Sequence, residues 1–180
     1  MNLWHELEPG PNPPEVIYVI VEIPKGSRNK YELSKELGVL KLSRVLFSSL
    51  HYPGDYGLIP RTFYEDGDPL DVLVFNNEPT FPGCVIEARP IGIFKMFDQE
   101  LPDDKILAVP ANDPLFKDYR TIDDIPQHFL REVGHFFEVY KDLEGERTRP
   151  IGWEGLASAY TQVEHAIALY RDKFGRGRRI

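Results

Sequence analysis

About two-thirds of the way along the chain the apolar residues change their period, and that change limits the fold more than any other feature. Before it, Pro and Gly interrupt short apolar runs, the pattern of strands joined by turns. Residues 16–23 are almost wholly apolar until Glu22, which predicts a strand covered on both faces. Residues 39–46 alternate, with Leu40, Leu42, Arg44 and Leu46 on one face and Val39, Lys41, Ser43 and Val45 on the other. The turn Glu36-Leu37-Gly38 joins this strand to one containing Lys30, Tyr31 and Glu32. Residues 71–75, 85–97 and 105–109 read as further strands, and Pro90 predicts a bulge or break in the long one. After Asp123-Asp124 and Pro126 the period becomes helical. Ile125, Phe129, Leu130, Val133, Phe136, Phe137 and Tyr140 form one stripe. Trp153, Leu156, Ala157, Tyr160, Val163, Ile167, Tyr170 and Phe174 form a second, stopped by Gly175. Strands followed by two amphipathic helices predict an α+β domain in which the helices pack on a closed or strongly curved sheet.

The 180 residues suit one domain, 1–180, with a single core. A composition 42% hydrophobic and 28% charged excludes disorder. No apolar run approaches the roughly 20 residues that span a bilayer, and the first residues lack the basic flank and apolar stretch of a secretory signal. A lone cysteine, Cys84, cannot form an internal disulfide, so a cytoplasmic, reducing location is expected, with Cys84 as a small buried residue. Twenty-nine acidic residues against twenty-one basic ones leave a formal charge of −8, which disfavours nucleic acid as a partner.

Where the carboxylates lie is more telling. Glu65-Asp66-Gly67-Asp68-Pro69-Leu70-Asp71 holds four in seven residues. A turn built on this segment would crowd Asp66, Asp68 and Asp71, and crowded carboxylates repel unless cations intervene. All-oxygen clusters suit magnesium, manganese or calcium rather than zinc. A solvated acidic hairpin is the competing reading, since Asp and Gly are ordinary turn formers. Asp98, Glu100, Asp103 and Asp104 form a second acidic group before Lys105. Lys30 and Glu32 share a face if extended, and Arg44 sits on an apolar one, so an inward ion pair and a polyanion site are both open. The histidines and Cys84 lack zinc-ligand spacing, and no nucleophile elbow or phosphate loop is present.

Asp66-Gly67-Asp68-Pro69-Leu70-Asp71-Val72 resembles the signature of the family I soluble inorganic pyrophosphatases. The likeness runs through Val21-Glu22-Ile23-Pro24, Asn29-Lys30-Tyr31-Glu32, Arg44-Val45-Leu46 and Tyr52-Pro53-Gly54-Asp55-Tyr56-Gly57. It continues through Lys95-Met96-Phe97-Asp98, Asp103-Asp104-Lys105, His135-Phe136-Phe137-Glu138, Tyr140-Lys141 and Gly152-Trp153-Glu154. Departures are Ser43 where an aspartate is common, Gln99 where a glutamate is, and Val139 where some hexameric members carry a second histidine.

The resemblance implies an OB-like closed five-stranded β-barrel flanked by the two C-terminal amphipathic helices, and a homohexamer of the prokaryotic branch. It implies Mg2+-dependent hydrolysis of diphosphate to two phosphates by direct attack of a metal-activated water, with Mn2+ or another divalent ion as a possible substitute. By match of residues, Asp66, Asp71 and Asp103 would hold the activating metals. Asp98, with Glu22 and Glu32, would hold those arriving with substrate. Asp68 would be the general base, and Lys30, Glu32, Arg44, Tyr56, Lys105, Tyr140 and Lys141 would bind the substrate. A polyanion-binding module without turnover, or a phosphohydrolase of nucleotides or polyphosphate, are the rival classes; the first requires a basic, aromatic groove that the acidic clusters oppose.

Overall fold

The computed structural model describes residues 1–175. A short helix, α1 (Leu3–Glu6), opens the chain, capped by Asn2, whose side chain accepts the Trp4 N–H at 3.1 Å. There follow β1 (Ile17–Ile23), β2 (Asn29–Leu33), β3 (Leu40–Val45), β4 (Asp55–Leu58), β5 (Asp71–Val74), β6 (Val85–Asp98), β7 (Leu101–Pro102) and β8 (Lys105–Pro110). The helix α2 (Gln127–Val139), a last strand β9 (Thr148–Glu154) and the long helix α3 (Leu156–Phe174) complete the order. β1 pairs antiparallel with both β4 and β6; β5 bridges β4 to β8, and β8 returns to β6. The pairing path therefore closes on β1, giving an α+β fold with a ring-like sheet of five strands. β2 and β3 form a separate two-stranded sheet.

The period change explains the packing. Ile17, Val19, Ile20, Val21 and Ile23 are fully buried because both faces of β1 are covered, as the unbroken apolar run predicts. The apolar stripe of α2, Leu130, Val133, Phe136 and Phe137, packs with Phe94, Met96, Leu107 and Val109. That of α3, Ala159, Val163, Ala166 and Ile167, packs with Ile17, Val19, Ile93 and Ile106. Neighbours Ile93 and Phe94 on β6 thus serve opposite clusters, which is the strand's period of two. Each large side chain so buried contributes about 1.5–3 kcal/mol. β1 and β4 approach so closely that a Cβ at Gly57 would lie 2.0 Å from the Ile20 carbonyl oxygen, so only glycine fits there.

Several expectations are corrected. Trp153 belongs to β9, not to the last helix. Its spacing to Leu156 and Ala157 mimics a helical turn, but it pairs with Phe94 in the ladder and donates Nε1–H to the Leu130 carbonyl at 3.1 Å. Cys84 is half-buried, because it stands in the turn before β6, where its carbonyl accepts the Val21 N–H at 2.9 Å. β4 and β9 escape a pattern reading because Gly57, and Pro150 with Gly152, dilute their strand propensity. α1 is too short to show a stripe. Pro90 behaves as expected: the β6–β8 register shifts between Pro90 and Gly92. Among the described residues no helix is long and apolar enough to cross a membrane.

Candidate active site

A cleft of about 740 Å³ lies between the β2–β3 sheet and one end of the ring. The ring supplies Glu22 from β1, Tyr56 from β4, Asp71 and Lys105 from the first positions of β5 and β8, and Asp98 from the end of β6. Parallel pairing sets Asp71 directly beside Lys105. The loop before β5 adds Asp66 and Asp68, and the end of α2 adds Tyr140 and Lys141. Lys30 and Glu32 face in from β2 as an ion pair, on the shared face their spacing predicts. Asp103, just before β8, completes the acidic wall.

At the centre the Lys105 ammonium, 3% exposed, lies 2.6 Å from both Asp71 Oδ2 and Asp103 Oδ1. The Tyr56 hydroxyl donates to the same Asp71 oxygen at 2.6 Å. Burial alone would push the Lys105 pKa down, but Asp103 and Asp71 together hold it well above its ordinary value. One ammonium does not neutralise the wall. Burial, reinforced by Asp71 and Glu32, raises Glu22 to about 8, although its Oε1 accepts the Leu33 N–H at 2.7 Å. Burial, with repulsion from Asp71, Asp103 and Asp68, raises Asp66 to about 7. Asp71 is also raised by burial, against the pull of Lys105. Burial lifts Tyr140 to about 12, so it remains a hydroxyl donor throughout the neutral range.

Among the described residues no three His, Cys, Asp or Glu side chains close on a common point, and Lys105 stands between Asp71 and Asp103. The donor set nevertheless suits a hard divalent cation. It is all oxygen, it carries surplus negative charge, and Asp98 Oδ1 is buried without a hydrogen-bond partner. The acidic loop is ordered rather than a solvated hairpin: Asp66 Oδ1 accepts the Asp68 N–H at 2.9 Å, and Gly67 N–H bonds the Tyr64 carbonyl at 3.0 Å.

The other acidic group divides by role. Asp104, 3% exposed, accepts from the Tyr64 hydroxyl and from Lys95, each at 2.7 Å, and is structural. Lys141 joins Asp98 to Glu146. Arg44 is the exception among the residues expected here: it does not line the cleft, and its Nε lies 2.9 Å from Glu144 Oε1. Lys35, which sequence reasoning passed over, reaches from beyond β2 to pair with Asp68 and donates to the Gly67 carbonyl at 3.0 Å. Glu144 was missed likewise. Neither carries a local signal, since each partner lies 32 residues or more away along the chain.

A family model described as inorganic pyrophosphatase matches residues 19–171. The inorganic pyrophosphatase of Haloferax volcanii is 50% identical over 175 residues, covering 97% of this chain and 99% of that one. That of Picrophilus torridus is 46% identical over 171 residues, covering 95% and 97%. The crystal structure of the inorganic pyrophosphatase from Thermus thermophilus superposes with a TM-score of 0.91 at 42% identity, covering 95% of this chain and 99% of that one. Family match, relatives and fold agree with the cleft, and the chain belongs to the prokaryotic family I inorganic pyrophosphatases.

Proposed function

We propose that this chain hydrolyses inorganic diphosphate to two phosphates with magnesium as its activating metal, by direct attack of water and without a covalent intermediate. The observation that carries the reading is the single cleft in which Asp66, Asp68, Asp71, Asp98 and Asp103 face Lys30, Lys105, Lys141, Tyr56 and Tyr140. A polyanion with its cations needs both halves: carboxylates for the cations and cationic or hydroxyl donors for the remaining oxygens.

Asp66, Asp71 and Asp103 would hold the activating ions, and Asp98 with Glu22 and Glu32 those that come with the substrate. Magnesium, when bound, screens the phosphate charge and makes water more acidic. Asp68 is the general base: its side chain is half-exposed and reaches the cleft, and the Asp66 bond to its N–H fixes the loop that carries it. Lys30, Lys105 and Lys141 bind and orient the phosphate oxygens; Arg44, which pairs with Glu144 and whose neighbours Leu42 and Ser43 line the cleft, would be a further donor from outside that lining. Tyr56 and Tyr140 stay protonated and donate to the same oxygens. The acceleration then comes mainly from positioning and charge.

Residues 1–180 would form one domain, and the ring would be an OB-like closed barrel; pairing of β1 with both β4 and β6 supports this. A cytoplasmic homohexamer completes the reading, supported by exposed apolar side chains such as Phe47, Phe81 and Leu115, and light scattering at micromolar protein should return about six chain masses. The test of the function is phosphate release from diphosphate, ATP and tripolyphosphate, with and without magnesium. Rapid, magnesium-dependent release from diphosphate alone supports it; equal release from ATP would move the assignment to a nucleotide phosphohydrolase.

A further inference from the structure

The turn after α2 places a carboxylate against the one cationic residue of the proposed substrate set that does not line the cleft. Lys141 is followed by a single 3-10 turn, Asp142–Glu144, closed by Gly145 at φ +77°, a left-handed conformation that suits glycine. Glu144 N–H and Glu146 N–H both bond the Lys141 carbonyl, at 2.9 and 3.3 Å, so the turn is wound around that residue. This fixes Glu144 relative to Lys141. The Glu144 side chain is 9% exposed and its Oε1 lies 2.9 Å from Arg44 Nε, across from β3. The pairing is incomplete. Arg44 Nε and Nη2 and Glu144 Oε2 are buried without an aligned hydrogen bond.

From this arrangement, which rests on the function proposed above, we propose that Glu144 is a positioning residue for Arg44. It holds one edge of the guanidinium and leaves the Nη edge for a phosphate oxygen. A guanidinium offers five donors in a rigid fork, so anchoring one edge orients the other. A buried Nη2 without a partner is costly where it stands; the Arg44 side chain is 27% exposed and its neighbours Leu42 and Ser43 line the cleft, so an anionic oxygen drawn to Nη2 would relieve that cost. Glu144 also joins the sheet β2–β3 to the end of α2, which carries Tyr140 and Lys141. The Arg44–Glu144 pair therefore ties one wall of the cleft to the other. Removing Glu144 should free Arg44 to sample other rotamers, and the loss should appear in substrate affinity before it appears in turnover.

The test is a double-mutant cycle read by isothermal titration of imidodiphosphate at saturating magnesium, with diphosphate kcat and KM measured in parallel and folding followed by circular dichroism. The set is the parent, Glu144→Gln, Glu144→Asp, Arg44→Met, and Arg44→Met combined with each Glu144 change. Glu144→Gln should weaken binding and raise KM by about tenfold to a hundredfold, with kcat changing less. Glu144→Asp keeps the charge and should lose less, about threefold. In the Arg44→Met background neither change should matter beyond about twofold, because the residue through which Glu144 acts is gone. If Glu144→Gln does not fold, the Glu144→Asp arm of the cycle decides. Parent-like binding by the Glu144 variants, equal losses with and without Arg44, or a fall confined to kcat would each overturn the assignment. A parent protein that binds imidodiphosphate yet releases no phosphate would refute the hydrolase reading alone, and the cycle would still decide the role of Glu144.

Discussion

Replacing Lys105 with methionine isolates the charge balance at the centre of the cleft. Methionine keeps an unbranched side chain of similar shape and removes only the ammonium, so packing against the Tyr56 and Phe137 rings, 5.5 and 5.6 Å from Nζ, is largely preserved. What remains is Asp71 and Asp103, each 2.6 Å from a cation that is no longer there. Breaking a buried ion pair by deleting one partner costs about 3–5 kcal/mol. In a chain of this length each kcal/mol moves the melting midpoint by about 2–4 °C, so Lys105→Met should melt about 6–20 °C below the parent in EDTA. Burial already raises the Asp71 pKa against the pull of Lys105, so without the ammonium that carboxyl should be raised further. The protonated form of Asp71 therefore favours the folded state, and the deficit should be small in mild acid and grow as pH rises. Magnesium should stabilise the variant more than the parent, since it replaces the missing charge; at a hundredfold excess over its Kd, binding contributes about 2.7 kcal/mol. The assay is a thermal melt by circular dichroism across pH, with EDTA and with magnesium. A variant melting within about 2 °C of the parent in EDTA, or equal gains from magnesium in both, would refute the reasoning.

Four further outcomes are expected. Asp68→Asn should lower kcat by about 10²–10⁴-fold with little change in diphosphate KM, checked by steady-state kinetics; normal kcat would remove the base role. Asp71→Asn should shift half-maximal activation to higher magnesium as well as slow the reaction, and an unchanged magnesium titration would contradict its part in holding the metal. Burial sets Glu22 at about 8 against an ordinary value of 4.5, so its protonated form favours the folded state; metal-free stability should fall as pH rises between these values. Glu22→Gln keeps the acceptor for Leu33 N–H and should flatten that fall, which for one proton is at most about 1.4 kcal/mol for each pH step of one, measured by urea unfolding in EDTA. Gly57→Ala should cost about 1–3 kcal/mol or more in the same assay, because its Cβ would meet the Ile20 carbonyl, and a neutral result would mean that β1 and β4 part easily.

Much of the architecture was legible because it follows from neighbours in the sequence. An apolar run interrupted only at Glu22 predicted a strand covered on both faces, and β1 is one. Apolar residues three and four apart could only gather on one side of a helix, and Leu130, Val133, Phe136 and Phe137 did. Three aspartates within six residues predicted a crowded acidic turn; Asp66 and Asp68 share it, Asp71 opens β5 beside it, and the Asp66 bond to Asp68 N–H holds the turn on the cleft. Tertiary structure decided the rest, because pairing register and helix docking join residues that local pattern leaves unrelated. Parallel alignment of β5 with β8, not any motif, brings Asp71 and Lys105 side by side and puts an ammonium between two carboxylates. Asp103 and Asp104 are adjacent, yet one faces the cleft and the other is locked by Tyr64 and Lys95, since successive side chains point to opposite sides. Arg44 had a matching motif and still turned to Glu144, a hundred residues later, because a half-buried guanidinium is drawn to a carboxylate that the fold supplies.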